Sequence, residues 1–251
     1  ACMTEAAATG KRRRGGLVGF LRDLIIILVI AFTVSFVVKT FFMRAFYIPS
    51  GSMMNTLQIN DRILVNQLVP DVVPVQRGDV VVFRDPGGWL NAKPIVPATG
   101  VQWVLQELGL AASPSDEYVI KRVIGLPGDR VGCCDAGGRV TVNGVPIVEP
   151  YVLLPPGETR VSDLAFDVTV PEDSYWVMGD NRYASKDSRY NQDQPGKGFV
   201  LKEEIVGRAF LLNWPLSRFS WLGNYPDTFV GVDQGAVSGE GAPNSTDSSN
   251  E

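Results

Sequence analysis

The sequence Tyr47-Ile48-Pro49-Ser50-Gly51-Ser52-Met53-Met54-Asn55-Thr56-Leu57 joins the one strongly apolar run of the chain to the body that follows it. Gly51 allows a sharp backbone turn, and Pro49 stiffens the approach to that turn. Ser52 is therefore expected on a bent loop directly after the apolar run. Because a serine in such a loop is most often a turn or capping residue, a catalytic role for Ser52 depends on the rest of the chain.

The apolar run over residues 17–43 predicts a membrane anchor. Its uncharged part, Leu24 to Val38, is shorter than the roughly 20 residues of a spanning helix, and the span reaches Met43 if the Lys39 amine extends to the headgroups. A buried soluble helix would show a polar stripe, and a cleaved secretory signal would end in small residues. The run shows neither feature, so we favour an uncleaved anchor over these two alternatives.

The charge distribution agrees with an anchored protein. Residues 1–44 carry seven Lys or Arg side chains and two acidic ones, whereas the whole chain has a net charge of −4. The basic cluster Lys11–Arg14 predicts a cytoplasmic N-terminus and an extracytoplasmic body. A basic end on an acidic body does not indicate a nucleic-acid-binding protein.

The body is predicted to be mainly β, because short β-branched runs alternate with turn residues. Asn143-Gly144, between two such runs, is the preferred pair for a tight hairpin turn. We expect a disordered basic tail over 1–16, an anchor helix over 17–43, a β domain over 44–222 with an insertion at 86–117, and a polar, largely disordered tail over 223–251. A short helix is predicted within the insertion, near Val101–Leu110.

The composition excludes several kinds of active site. The chain contains no histidine, so it cannot form a Ser-His-Asp triad, a Cys-His pair or a His-based zinc site. Its three cysteines, Cys2, Cys133 and Cys134, form neither a disulfide framework nor a metal site. Adjacent cysteines rarely bond to each other, so we expect idle thiols, and neither a metal nor a cofactor.

A base for Ser52 must then be a lysine or a carboxylate. In the predicted strand Tyr118–Ile124, alternation places Val119, Lys121 and Val123 on one face and Arg122 on the other. A lysine between valines is commonly an edge-strand lysine that blocks aggregation. Alternatively, it is a desolvated lysine whose lowered pKa lets it act as a base.

Four segments together resemble the bacterial type I signal peptidases, which are Ser-Lys dyad serine peptidases. Ser50–Met54 after the apolar helix resembles the serine motif of that family, and Gly78–Phe83 resembles the next one. Tyr118–Asp129 resembles the lysine motif, and Gly179–Arg189 resembles the last. The four motifs follow the family's order over most of residues 45–212 and imply an antiparallel, barrel-like β fold with one N-terminal transmembrane helix.

The resemblance implies a role for each matching position. Ser52 would be the nucleophile and Lys121 the general base, with the Ser50 hydroxyl and the Ser52 N–H forming the oxyanion hole. The remaining roles are orientation of the Lys121 amine by Ser185, two supporting ion pairs (Asp187 with Arg189, Asp180 with Arg122), and apolar substrate pockets lined by Ile48, Met53 and Ile120.

The implied activity is removal of N-terminal signal peptides from exported preproteins that carry small residues near the cleavage site. The protein would be a single-pass plasma-membrane protein with membrane lipid around its anchor and no nucleic-acid partner. Two other functions are considered. One is a Ser-Lys self-cleaving regulator, which usually carries a DNA-binding domain, and the other is an inactive membrane-anchored β module that binds partners.

Overall fold

The structure, a computed structural model, describes residues 17–90 and 118–234. Its one long helix, α1, covers Leu17–Phe41. An 18-residue window of this helix, Gly19–Phe36, has a mean hydropathy of 2.1, which is long and apolar enough to cross a membrane. Side chains from Phe20 to Phe36 are exposed around the whole helix. Met43, predicted as the end of the anchor, already belongs to the first strand.

The body is mainly antiparallel β, as predicted. Its strands are β1 (Met43–Tyr47), β2 (Arg62–Asn66), β3 (Val80–Arg84), β4 (Tyr118–Gly125), β5 (Arg130–Cys133), β6 (Val140–Val142), β7 (Val145–Pro146), β8 (Phe166–Thr169), β9 (Ser174–Met178), β10 (Val200–Leu201), β11 (Ile205–Trp214) and β12 (Ser220–Trp221). One sheet has the order β1-β2-β11-β3-β4-β9-β10, with β12 paired to β11, and a second has the order β7-β6-β5-β8. Short 3-10 turns cover Arg182–Ala184, Ser188–Tyr190, Lys202–Glu204, Leu216–Arg218 and Pro226–Phe229.

The strands β3 and β4 lie in the middle of the larger sheet and are buried on both faces. Val80 and Val82 of β3 enter one apolar cluster, whereas Val81 and Phe83 enter a cluster on the opposite face. Strand β4 pairs with β3 on one side and β9 on the other. Lys121 therefore does not lie on an edge strand, and the aggregation-blocking interpretation is wrong.

The hairpin between β6 and β7 forms at the predicted pair. Asn143 and Gly144 both have positive φ angles, 52° and 79°, as a type I′ turn requires. The smaller sheet packs against the larger one through a shared apolar cluster, which joins Val131 of β5 to Ile124 of β4 and Trp176 of β9.

Three expectations need correction. The folded domain continues past residue 222, because Phe229 and Val232 are buried in the cluster around Trp176, so the predicted tail begins too early. Residues 86–90 are also part of the body, since Trp89 is buried against Phe83 with ring centroids 5.5 Å apart. The remainder of the predicted insertion, with its helix, and both predicted terminal tails beyond 17–234 lie outside the described residues.

The third correction concerns Cys133 and Cys134, which are joined by a disulfide rather than left as thiols. The expectation assumed an extended trans backbone, on which neighbouring side chains diverge. The peptide bond between these two residues is cis.

Candidate active site

Ser52 and Lys121, 69 residues apart in the chain, meet at the surface of the larger sheet. The Lys121 Nζ donates to Ser52 Oγ at 2.7 Å and to the carbonyl of its own neighbour Ile120 at 2.9 Å. Both side chains are buried, with 7% of Ser52 and 4% of Lys121 exposed. The nucleophile candidate and the base candidate are therefore within direct proton-transfer distance in a nearly dry site.

Burial determines the protonation of Lys121. Removal of the amine from water lowers its pKa from 10.5 to about 8. The nearby carboxylates of Asp187 and Asp180 act in the opposite direction, and the Arg189 guanidinium adds to the lowering. A substantial fraction of Lys121 is therefore neutral near pH 8, where an ordinary lysine is almost entirely charged.

A tight turn carries Ser52. The backbone amides of Met54 and Leu57 donate to the carbonyls of Gly51 and Met53, closing the loop on itself. Ser50 Oγ lies 3.4 Å from Ser52 Oγ. A second hydroxyl is thus available close to the point where an oxyanion would form after attack by Ser52.

A second loop, over residues 179–182, supports the serine turn. The Asn181 amide donates to the Ser52 carbonyl and its side-chain nitrogen donates to the Gly51 carbonyl, both at 3.1 Å. Gly179 is packed so tightly that a Cβ there would lie 2.2 Å from Ser185 Oγ and 2.6 Å from the Ser52 carbonyl oxygen. Only glycine fits between the two loops.

The two expected ion pairs are present and buried. Arg122 donates through Nε and Nη2 to the two oxygens of Asp180, at 2.8 and 2.7 Å. Arg189 donates to Asp187 in the same forked way, with both distances at 2.8 Å. Asp187 also accepts from the Gly179 amide at 2.9 Å, so both pairs brace the loop that touches Ser52.

The contact implied for Ser185 does not form. Among the described residues, Lys121 Nζ donates to Ser52 and Ile120 only, and the buried Ser185 Oγ has no partner at normal hydrogen-bond geometry. This hydroxyl instead lies near the Asp187 carboxylate. Burial acts to raise the pKa of that carboxyl, but the Arg189 guanidinium outweighs burial and lowers the pKa, and the Ser185 hydroxyl adds a smaller lowering contribution. The Ser185 side chain also lies directly against the Gly179 backbone.

The three residues expected to line substrate pockets belong to the core beside Ser52 and Lys121. Ile48, Met53 and Ile120 share one apolar cluster and are 2%, 0% and 7% exposed. Their role in substrate binding stays a prediction.

The sequence analysis missed a further buried pair, Glu149 with Arg182. Arg182 lies inside the last motif but had no assigned role, and Glu149 lies outside all four motifs. Tyr151 was also missed, although its ring lies 4.0 Å from the Arg122 guanidinium carbon. Glu149 and Tyr151 follow the β6–β7 hairpin in a segment without periodic pattern, so no local signal could have identified them.

Comparison with known proteins agrees with this geometry. The sequence model of the family described as "Signal peptidase, peptidase S26" matches residues 21–214. The signal peptidase I of Leptolyngbya laminosa is 36% identical over 189 residues, which cover 75% of this chain and 77% of that protein. That of Mycobacterium tuberculosis is 36% identical over 222 residues, which cover 79% and 74%.

A crystal structure of a signal peptidase I from Enterococcus faecalis is 27% identical and covers 53% of this chain and 95% of that one. Its TM-score is 0.36, and the family assignment does not depend on it. The family match over most of the chain, together with relatives that are 36% identical over about three quarters of both chains, shows that this chain belongs to the signal peptidase I family of peptidases.

Proposed function

We propose that this chain is a membrane-anchored serine endopeptidase in which Ser52 and Lys121 remove signal peptides from exported preproteins. The observation that carries the proposal is the 2.7 Å contact between Lys121 Nζ and Ser52 Oγ with a nearly buried amine. A chain without histidine needs another base for its serine, and a desolvated lysine can supply one.

In the first step, neutral Lys121 accepts the proton of Ser52 Oγ while that oxygen attacks the scissile carbonyl carbon. The carbonyl oxygen becomes an oxyanion, which the Ser50 hydroxyl and the Ser52 N–H stabilise as donors. Collapse of the tetrahedral intermediate breaks the C–N bond. The leaving amine takes the proton from Lys121, and the signal peptide stays as an ester on Ser52.

In the second step, Lys121 accepts a proton from a water molecule, which attacks the ester carbonyl. The ester bond to Ser52 Oγ breaks, the proton returns from Lys121 to that oxygen, and the signal peptide leaves as a free acid that gives its proton to the solvent. One amine thus serves both half-reactions, and Asp187, Asp180 and their arginine partners keep the loops around it in place.

The anchor explains why the site lies close to the membrane. Only a short segment separates the end of α1 at Phe41 from Ser52. With a cytoplasmic N-terminus, Ser52 would lie near the outer membrane surface, where a signal peptide held in the bilayer presents its cleavage site. We infer that this segment is taken up in extended form beside the sheet and that small side chains fit best next to Ile48, Met53 and Ile120.

The test is processing of a preprotein by the full-length chain in membranes or detergent. Ser52→Ala and Lys121→Ala should each abolish cleavage while the β domain stays folded. Lys186→Ala, which changes an exposed lysine in the neighbouring loop, should cleave normally. Near-normal processing by either dyad variant would contradict the mechanism and favour an inactive binding module or a different base.

A further inference from the structure

The pair of Glu149 and Arg182 is buried as deeply as the ion pairs of the recognised motifs. The side chains are 2% and 0% exposed. Arg182 Nη1 and Nη2 donate to separate oxygens of Glu149 at 2.8 and 2.5 Å, and the Tyr151 hydroxyl donates to the same carboxylate at 2.9 Å. The Glu149 carboxylate thus has three donors and almost no contact with water.

The segment that carries Glu149 touches both loops of the candidate active site. The Leu153 amide donates to the Asp180 carbonyl at 2.8 Å, and the Arg182 amide donates to the Leu153 carbonyl at 3.3 Å. On the other side, Asn55 Nδ2, in the serine turn, donates to the Tyr151 carbonyl at 3.2 Å. Residues 149–153 therefore pack behind the 179–182 loop and connect it to the serine turn.

A continuous path connects the pair to the nucleophile. Arg182 Nε donates to the Gly179 carbonyl at 3.1 Å, which ties the guanidinium to the start of the loop. Asn181, beside Arg182 in the chain, bonds the carbonyls of Ser52 and Gly51. The Glu149 carboxylate orients Arg182, Arg182 holds the loop, and the loop holds the backbone of Ser52.

Stability alone does not explain a charged pair at this place. Replacing a buried ion pair by apolar residues of similar volume is often neutral or stabilising, because desolvation of both charges is costly. A forked pair does, however, fix two groups in one geometry. The pair lies directly behind the loop that contacts Ser52, which indicates that its role is to fix the position of that loop.

We propose that Glu149 is a positioning residue for the reaction, acting through Arg182 and Asn181 to hold Ser52 at its distance from Lys121. It touches no reacting atom. This inference rests on the proposed Ser52–Lys121 dyad and adds to it a residue from outside the four sequence motifs.

The primary test is Glu149→Gln, which keeps the side-chain volume and one acceptor oxygen but removes the charge. Because a misplacement of about 1 Å can cost about 100-fold in rate, we expect kcat to fall about 10- to 100-fold, with KM changed less than about threefold. The acid limb of the pH profile should keep its midpoint, since the charges that act on the Lys121 pKa are those of Asp187, Asp180 and Arg189.

The matched control is Asp129→Asn. Asp129 also accepts both arms of an arginine, Arg77, at 2.7 Å each, and its side chain is 5% exposed. It lies in the turn between β4 and β5, and its side chain bonds Arg77, Asn143 and the Leu126 amide, none of which belongs to the 179–182 loop. We expect Asp129→Asn to lower the melting temperature and leave kcat per folded molecule unchanged.

Two further measurements test whether Glu149 acts on Ser52 through Asn181. In an Asn181→Ala background, the kcat loss caused by Glu149→Gln should become smaller, because both changes loosen the same contact. Tyr151→Phe removes only the hydroxyl bond to Glu149 and should give a smaller kcat loss in the same direction, which keeps the test available if Glu149→Gln folds poorly.

Two results would overturn the inference. One is a wild-type kcat per folded molecule in both Glu149→Gln and Tyr151→Phe. The other is a kcat loss in the Glu149→Gln, Asn181→Ala double variant that equals the product of the two single losses. Such a result, with Ser52→Ala still inactive, would leave the dyad intact. Activity in Ser52→Ala would instead remove the proposed function on which this inference rests.

Discussion

Replacing Lys121 by methionine should inactivate the protein and, at neutral pH, make its β domain more stable. Burial in the fold lowers the pKa of this amine from 10.5 to about 8. This shift means that burying the charged amine destabilises the folded protein by about 3 kcal/mol. Methionine has a similar length and carries no charge. The methionine cannot form the hydrogen bonds to Ser52 and Ile120, each of which contributes about 1 kcal/mol. We therefore expect the free energy of unfolding to rise by about 1 kcal/mol at pH 7.

The lowered pKa of Lys121 also predicts how the free energy of unfolding changes with pH. Below pH 8 the lysine is protonated in both the folded and the unfolded chain, and the full cost of burying the charge is present. Between pH 8 and 10.5 the folded chain has lost this proton while the unfolded chain retains it, so stability rises with pH. Above 10.5 both states are neutral and the cost is gone. The advantage of Lys121→Met should therefore decline by about 3 kcal/mol over this interval and become a deficit.

The assay is denaturant unfolding of the full chain in detergent, followed by tryptophan fluorescence at pH 7, 8, 9 and 10.5. Lys186→Met, at an exposed position, is the control and should follow the wild type at every pH. Titrations of other groups cancel in the difference between variant and wild type. Parallel pH profiles for Lys121→Met and wild type would refute the argument that this amine is desolvated.

Three other outcomes follow from the site. The kcat/KM of the wild type should rise about tenfold per pH unit below pH 8 and level off above it, as the neutral fraction of Lys121 increases; a flat profile from pH 6 to 9 would exclude a lysine base. Ser50→Ala should lower kcat about 100-fold with little change in KM, the usual loss for one oxyanion donor; unchanged kcat would show that Ser50 Oγ makes no such bond. Gly179→Ala places a Cβ against Ser185 and the Ser52 carbonyl and should lower kcat about 100-fold through displacement of the serine turn, whereas Gly144→Ala, with open space around it, should affect stability only.

The features that could be predicted from the sequence are those set by local pattern. Period-two alternation in β4 places Lys121 and Arg122 on opposite faces, and the structure has Ile120 and Val119 in different apolar clusters accordingly. Asn143-Gly144 specifies its own hairpin because few other residues accept two positive φ angles. The four motifs also indicated Ser52 and Lys121 as the proposed dyad, and the structure brings their side chains into contact and forms both expected ion pairs.

The features that could not be predicted depend on contacts between distant segments. Glu149 and Arg182 are 33 residues apart, and nothing in the sequence near Glu149 indicates burial. The end of the domain was placed too early because the segment after Leu222 is rich in polar and small residues, although Val232 is fully buried. Ser185 was expected at the Lys121 amine because its motif matches, but its hydroxyl lies against the Gly179 backbone and makes no bond to that amine.

The most direct test of the central claim is a titration of the Lys121 amine itself. Nitrogen-15 NMR of lysine-labelled full-length protein, with the Nζ signal assigned by its absence in Lys121→Met, reports the protonation of this single group. A midpoint near pH 8 is the result we predict. A midpoint at or above pH 10 would contradict the account, because the amine would then be almost entirely charged near neutral pH and could not accept the Ser52 proton.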